Sequence, residues 1–285
     1  MNLIRTILMA LCCVFGVAGA GMASESDVVL LYTGNSLGEY QACPTCGQYS
    51  EGGLDRRATM LANQRAAGDT IFLLSGGYDF TSYIKHWRPK GGQLEALAEA
   101  YAKLGYDLGV LAAGDQQYLG HAGLKPPAGF VPVAEEPEVR ILTKGKIRLG
   151  VVLCPVLEGK EFTPEEKQLE SVAKAATALR DQCDIVVAVS TWGGRGESAF
   201  LKAFPGVVDV LLGSGPGSGA GARVMSDGAT LWLRPKPDGR AVMRLGLASF
   251  LSAGKWNKDF LAAETLSLDF RVKGDGRIST LFAWI

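Results

Sequence analysis

Cys43 and Cys46, in the loop segment Cys43-Pro-Thr-Cys46-Gly, are the residues whose types and spacing most directly offer chemistry. Two thiols two residues apart can form and exchange a disulfide, and Pro44 between them removes a backbone donor and stiffens the loop. A helix start close to the first thiol would lower its pKa and favour the reactive thiolate. Gly47 rather than His follows the motif, so covalent haem attachment is not supported. The same spacing serves a static disulfide that pins a loop, or half of a metal site, and the motif alone leaves these three readings open.

Other chemistry-bearing stretches are weaker. The loop Gly213-Ser-Gly-Pro-Gly-Ser-Gly-Ala-Gly221 could cradle a phosphate, but no Lys and no long amphipathic helix follow it, which favours a plain flexible loop. Trp192 with Arg195, and His86-Trp87-Arg88, could line a ligand pocket or serve ordinary loop packing. Ser190-Thr191 lacks an evident His and Asp for nucleophilic catalysis. His86 and His121 are the only histidines in the chain.

The elements that must position these residues follow from hydrophobic pattern. Val28 to Thr33 is an apolar, β-rich run of the buried-strand kind, closed by the turn Gly34-Asn-Ser-Leu-Gly38. Apolar residues then recur with helical spacing from Leu54 to about Gly68, Thr70 to Ser75 reads as a strand ending at Gly76-Gly77, and Leu94 to Leu104 as a second helix stopped by Gly105. With a strand over 107–112 this is βαβαβ, which predicts a parallel sheet. Asp115 follows Gly114 as a turn residue.

Strands are further expected at 130–133, 139–143 and 147–153, the last two joined as a hairpin through Lys144-Gly145-Lys146. Thr163 and Glu166 form a capping-box pattern with Pro164 at the first helical position, opening a helix to about Gln182. Strands at 184–190 and 207–212 flank a short helix near 197–204. The rest reads as strands alone, at 229–234, 241–247, 265–272 and 278–284. Neither an internal repeat nor an interdomain linker is evident.

The ordered blocks Leu30 to Gly38, Gly52-Gly-Leu-Asp-Arg-Arg-Ala-Thr59, Leu73 to Gly77, Leu104-Gly-Tyr-Asp107 before Gly114, and Val208-Asp-Val-Leu-Leu-Gly213 resemble the N-terminal domain of secreted 5′-nucleotidases and UDP-sugar hydrolases, which are calcineurin-like metallophosphoesterases. The resemblance covers about residues 28 to 285. It implies a four-layer α/β/β/α sandwich forming one domain over 24–285, without the substrate-binding C-terminal domain of those enzymes. The segment 52–59 is its most specific piece.

Carried over position by position, the family's metal ligands are not matched. The first Asp-x-His falls on Asn35 and Leu37, the metal-bridging Asp on Tyr78, the Asn-His pair on Asp115 and Gln116, the later His on Thr191, and the final His-x-His on Gly215 and Gly217. Two divalent cations about 4 Å apart require several anionic and imidazole ligands, including a bridging carboxylate. The expectation is therefore no resident metal, with a weak Mg²⁺ or Ca²⁺ site on Asn35 and Asp115 oxygens as the alternative.

A narrower resemblance, carried by the C-x-x-C region alone, is to a group of nucleotidase-like secreted proteins in which that region can hold selenocysteine. It implies thiol or selenol chemistry on a reused phosphoesterase scaffold, with Cys43 attacking and Cys46 resolving. Loops after the first three strands converge in such a fold, so Cys43 and Cys46 are expected to approach a cleft of Asn35, Tyr78, Asp115, Gln116 and Thr191. Cys154, closing its strand, should reach the same rim, while Cys183 should lie at the opposite edge, away from any 154–183 disulfide. The competing function is a metal-dependent phosphoesterase acting on nucleotides through a non-standard site.

Arg5, the apolar run from Ile7 to Ala20 and the small residues before Ser24 read as a signal peptide over 1–23, which predicts export across the inner membrane to the periplasm, with no stable membrane span. Cys12 and Cys13 lie in the apolar run, but Leu11 before them does not resemble a lipoprotein signal. Of 29 basic side chains, removal of Arg5 leaves 28 against 29 acidic ones, a balance that attracts neither nucleic acid nor anionic lipid by bulk charge. The expected partner is a small molecule or another exported protein. Of the chain's 285 residues 47% are hydrophobic and 20% charged, a composition able to build one sizeable core.

Overall fold

The computed structural model describes residues 27–43, 50–84, 91–157, 163–217 and 219–285. The segment 1–23 read as a signal peptide, together with Cys46 and His86-Trp87-Arg88, lies outside the described residues. In chain order the elements are β1 (Val28–Thr33), α1 (Leu54–Ala66), β2 (Thr70–Ser75), α2 (Gln93–Leu104), β3 (Leu108–Leu111), α3 (Ala113–His121) and β4 (Phe130–Pro132). Then come β5 (Glu138–Lys144), β6 (Ile147–Leu153), α4 (Glu166–Leu179), β7 (Ile185–Ser190), α5 (Gly193–Ala203), β8 (Val210–Gly213), β9 (Gly221–Met225) and β10 (Thr230–Arg234). The chain closes with β11 (Ala241–Gly246), α6 (Ala248–Ala253), β12 (Ala263–Ser267) and the single turn α7 (Gly276–Ser279).

Two six-stranded sheets face one another, ordered β12-β11-β1-β2-β3-β4 and β5-β6-β7-β8-β10-β9. β1 to β4 run parallel, as do β6, β7, β8 and β10, while β11, β12, β5 and β9 are antiparallel additions. The central runs are apolar on both faces because both faces are covered. Leu30, Tyr32, Phe72 and Leu74 point between the sheets to meet Val151, Val187, Leu212 and Leu231. Their neighbours Val29, Leu31 and Leu73 point outward onto Leu54, Leu61, Leu97 and Tyr101 of α1 and α2. On the other outer face Val152, Val186 and Ala188 meet Leu169, Val172 and Phe200 of α4 and α5. The result is the α/β/β/α order of layers, with three apolar interfaces and the loops at the strands' carboxyl ends gathered along one edge.

Several local expectations are corrected. The strand expected at 278–284 is α7 and a 3-10 turn over 280–282. Asp275 caps it by accepting from the Arg277 N–H at 2.8 Å, and Ile278 is buried in the α1–α2 layer. The capping box of α4 is Glu165 with Gln168, not Thr163 with Glu166; the Glu165 N–H donates to Gln168 Oε1 at 3.1 Å. Short α3, α6 and β9 have too few periodic apolar residues to stand out in sequence, and α5 begins at Gly193, four residues before the stretch expected.

Candidate functional site

The turn after β1 reverses through left-handed backbone at Asn35 and Leu37, with φ of 52° and 56°. Asn tolerates that region better than most residues. The turn lies along residues 76–79: the Asn35 N–H donates to the Gly77 carbonyl at 2.9 Å and the Leu37 N–H to that of Tyr78 at 2.8 Å. The second sheet's loops join the same assembly. Asn35 Oδ1 accepts from the Gly215 N–H at 2.8 Å, and Tyr78 Oη donates to the Thr191 carbonyl at 3.0 Å. Tyr32 Oη donates to the Gly213 carbonyl, an approach that requires glycine at Gly76, where a Cβ would overlap that hydroxyl.

Asp115 is a helix residue, not a turn residue, and this corrects its reading from sequence. It is the third residue of α3 and is fully buried. Oδ2 accepts from the N–H groups of Tyr78 at 2.7 Å and Ala112 at 3.0 Å, and Oδ1 from that of Phe80 at 2.9 Å. One carboxylate thus caps α3 and fixes the loop after β2. Burial, with neighbouring Asp79 adding to it, pushes this carboxyl up to about 7 against the downward pull of the three N–H donors. Burial, reinforced by Asp115, likewise holds the Tyr78 hydroxyl above its ordinary value.

Two further residues expected at the cleft have partners of their own. Gln116, one position further round α3 than Asp115, sends its Nε2 to the carbonyls of Leu111 and Val133, both at 3.2 Å. Side chains alternate along β6: Leu153 faces the layer between the sheets, so Cys154 faces the opposite side, packed with Leu169, Trp192 and Phe200 under α4 and α5. Cys154 is 1% exposed, and burial raises its thiol pKa far out of the reactive range. Cys154 and Cys183 are both free thiols.

Cys43 is half-buried and disulfide-bonded. Its N–H donates to the Glu51 carbonyl at 2.9 Å, and neighbouring Ala42 bridges Gly52. This arm is fastened laterally: Arg56 Nη1 donates to the Ser50 and Leu268 carbonyls, and Tyr40 stacks on Phe282 at 4.3 Å. The segment 235–240 joins arm and cleft, since Lys236 pairs with Glu51 at 2.9 Å while the Asp238 N–H donates to the Asn35 carbonyl. His121, at the end of α3, is exposed.

Sequence reasoning missed two buried charge networks flanking these residues. Asp79, fully buried, accepts from Ser36 Oγ at 2.6 Å and from Ser75 Oγ. Ser36 in turn accepts from Arg57 Nη2 at 2.8 Å and from Tyr101 Oη at 2.8 Å, and Arg57 also donates to Tyr101 Oη at 3.0 Å. On the second sheet Glu197, buried completely, pairs with Arg234 and accepts from Trp232 Nε1 at 2.8 Å. Arg234 Nη2 reaches the Gly215 carbonyl at 2.7 Å. Burial pushes the Glu197 carboxyl up to about 7, opposed by Arg234 and Trp232. A sequence signal existed for both: Arg57 interrupts the apolar stripe Leu54, Ala58, Leu61, and Glu197 opens the stripe Phe200, Leu201, so each charge faces a core.

At the positions matched to the family's ligands the donor atoms are engaged within the protein. Asn35 and Asp115 oxygens are directed at backbone N–H groups, Tyr78 and Thr191 are joined to each other, and Gly215 and Gly217 carry no ligand atoms in side chains. Among the described residues no group of three or more His, Cys, Asp or Glu side chains could hold a metal ion. Nor is any described helix long and apolar enough to cross a membrane.

No protein-family model matches the sequence, and no curated protein does. Solved structures do. The sulfate thiohydrolase SoxB of Thermus thermophilus superposes with a TM-score of 0.64 at 16% identity, over 90% of this chain and 60% of SoxB. A 5′-nucleotidase precursor, also from Thermus thermophilus, gives 0.63 at 16% identity over 90% and 57% of the two chains. The calcineurin-like phosphoesterase YfkN of Bacillus subtilis gives 0.57 at 13% identity, over 90% and 96%. The chain thus spans about 60% of SoxB's length. Likeness at such identity carries the architecture rather than the chemistry. The sheet order, the layers and these superpositions together establish that this chain has the calcineurin-like metallophosphoesterase fold, in the form shared with 5′-nucleotidases.

Proposed function

We propose that this is an exported protein that keeps the phosphoesterase scaffold without two-metal hydrolysis and works by binding, its ligand being a small molecule or another exported protein. The observation that carries the reading is the side chain of Asp115. The single carboxylate at the positions where the resemblance places the family's metal ligands is turned onto three backbone N–H groups, which take up three of its roughly four lone-pair sites. In this reading disulfide-bonded Cys43 stiffens the arm that joins the cleft to the C-terminal segment. Elemental analysis of the purified protein should find less than one equivalent of Mn, Zn or Fe. The protein should not hydrolyse 5′-AMP, UDP-glucose or bis-p-nitrophenyl phosphate. Stoichiometric metal together with turnover would overturn the reading in favour of a hydrolase with a non-standard site.

A second reading, thiol-disulfide exchange, is favoured by the partial exposure of disulfide-bonded Cys43. The two separate by potential. An exchanging couple should titrate above about −250 mV and a structural disulfide below about −300 mV, followed by thiol trapping and mass spectrometry.

A further inference from the structure

The second sheet leaves a long edge open. Its outermost strand β5 has seven residues and, among the described residues, pairs with β6 alone. The other sheet edges are managed differently: β4 has three residues, and β9 and β12 lie against each other. An edge strand presents unpaired N–H and C=O groups to any chain able to pair with it.

Register identifies those groups. Gly145-Lys146 is a two-residue hairpin turn, so Lys144 and Ile147 form its hydrogen-bonded closing pair. Alternation then turns the main-chain groups of Leu142, Arg140 and Glu138 inward to β6, and those of Thr143, Ile141 and Val139 outward. The outward Val139 carbonyl accepts from exposed Arg140 Nη1 at 2.9 Å. Val139 and Ile141 side chains are 44% and 38% exposed. They line one wall of a groove of about 690 Å³, whose other wall is α4 with Lys174, Ala175 and Ala178. Leu142, on the opposite face, packs into the layer between the sheets.

The strand Glu138-Val-Arg-Ile-Leu-Thr-Lys144 is complementary to itself when reversed. With a two-fold axis through Ile141, Ile141 meets Ile141 and Val139 meets Thr143, while Glu138, paired within the chain to Arg140 at 2.6 Å, meets Lys144, paired to Asp107 at 2.6 Å, so that opposite charges join into a network at both ends. All three outward residues become paired, and the Val139 carbonyl exchanges its Arg140 contact for the Thr143 N–H. We propose that β5 is the docking site for a second copy of this chain, which adds its own β5 antiparallel to form one continuous sheet across the dimer. The two α4 helices then flank the seam on the same face, over a joint apolar floor of Val139 and Ile141.

The test is oligomeric state by light scattering, run on the full chain from micromolar to hundreds of micromolar. Wild type should move to twice the chain mass as concentration rises. Ile141→Pro removes the outward N–H at the two-fold while leaving every β6 hydrogen bond in place. It should weaken dimerisation at least tenfold with an unchanged circular dichroism spectrum. Glu138→Lys sets like charges opposite each other and should weaken the dimer more at low salt than at high salt. Ile141→Cys sets two thiols opposite each other at the two-fold and should yield a covalent dimer with a short bis-maleimide cross-linker, independently of how the proline variant folds. A wild type that stays monomeric throughout overturns the proposal, as does a dimer that survives Ile141→Pro or that Ile141→Cys fails to cross-link.

Discussion

Asp115→Ala strips the acceptor from the Tyr78, Phe80 and Ala112 N–H groups at a fully buried position. A buried donor left without a partner costs about 1–3 kcal/mol, so three of them amount to about 3–9 kcal/mol, reduced toward the lower end where the loop after β2 relaxes toward water. The charge acts in the other direction. The carboxyl takes up its proton near 3.8 when exposed and at about 7 when buried here. The folded state therefore binds more protons than the unfolded state between those values, and wild-type stability falls as pH rises through that window. The whole difference is worth about 4 kcal/mol, of which roughly half falls between about pH 5 and about pH 7. The alanine variant has no carboxyl to titrate, so the cost of the substitution should shrink by about that amount from the lower pH to the higher. Urea unfolding of both proteins at the two pH values measures this directly, and Glu197, present in both, cancels in the difference. A cost that is constant with pH, or that grows toward neutrality, would refute the reasoning about burial. A cost below about 1 kcal/mol at the lower pH would refute the role of the three N–H groups.

The remaining perturbations address the networks around that carboxylate. Arg234→Met leaves Glu197 buried without its cation and should cost about 3–5 kcal/mol, whereas adding Glu197→Gln should recover at least half of it; additive losses in a double-mutant cycle would argue against the pair. Gly213→Ala would drive a Cβ into the Glu197 carboxylate and should reduce thermal stability severely, while Gly276→Ala, with open space at its Cβ, should stay within about 0.5 kcal/mol by the same thermal melt. Tyr106→Phe removes the hydroxyl shared with Thr33 Oγ1 at 2.7 Å and Arg57, and should cost about 1–2 kcal/mol in urea unfolding without changing the circular dichroism spectrum.

The sequence by itself determined the architecture. Runs such as Val28 to Thr33 and Ile147 to Leu153 are apolar at nearly every position, which only a strand covered on both faces permits, and the helices between them impose parallel pairing. The order of strands and loops also determined that Asn35, Tyr78, Thr191 and Asp115 would share one region, because each follows the carboxyl end of a strand. What these residues do there was decided by tertiary structure. Asp115 became a cap for three N–H groups because α3 starts immediately after β3, a helix too short and too weakly amphipathic to read from sequence. Cys154 turned to the outer face under α4 and α5 through strand alternation, whose phase depends on where the strand ends. Arg57 with Asp79 and Arg234 with Glu197 are distant in sequence, so their partnerships exist only once the loops converge. A charge in an apolar stripe announces that a partner is needed, and only the folded chain supplies its identity.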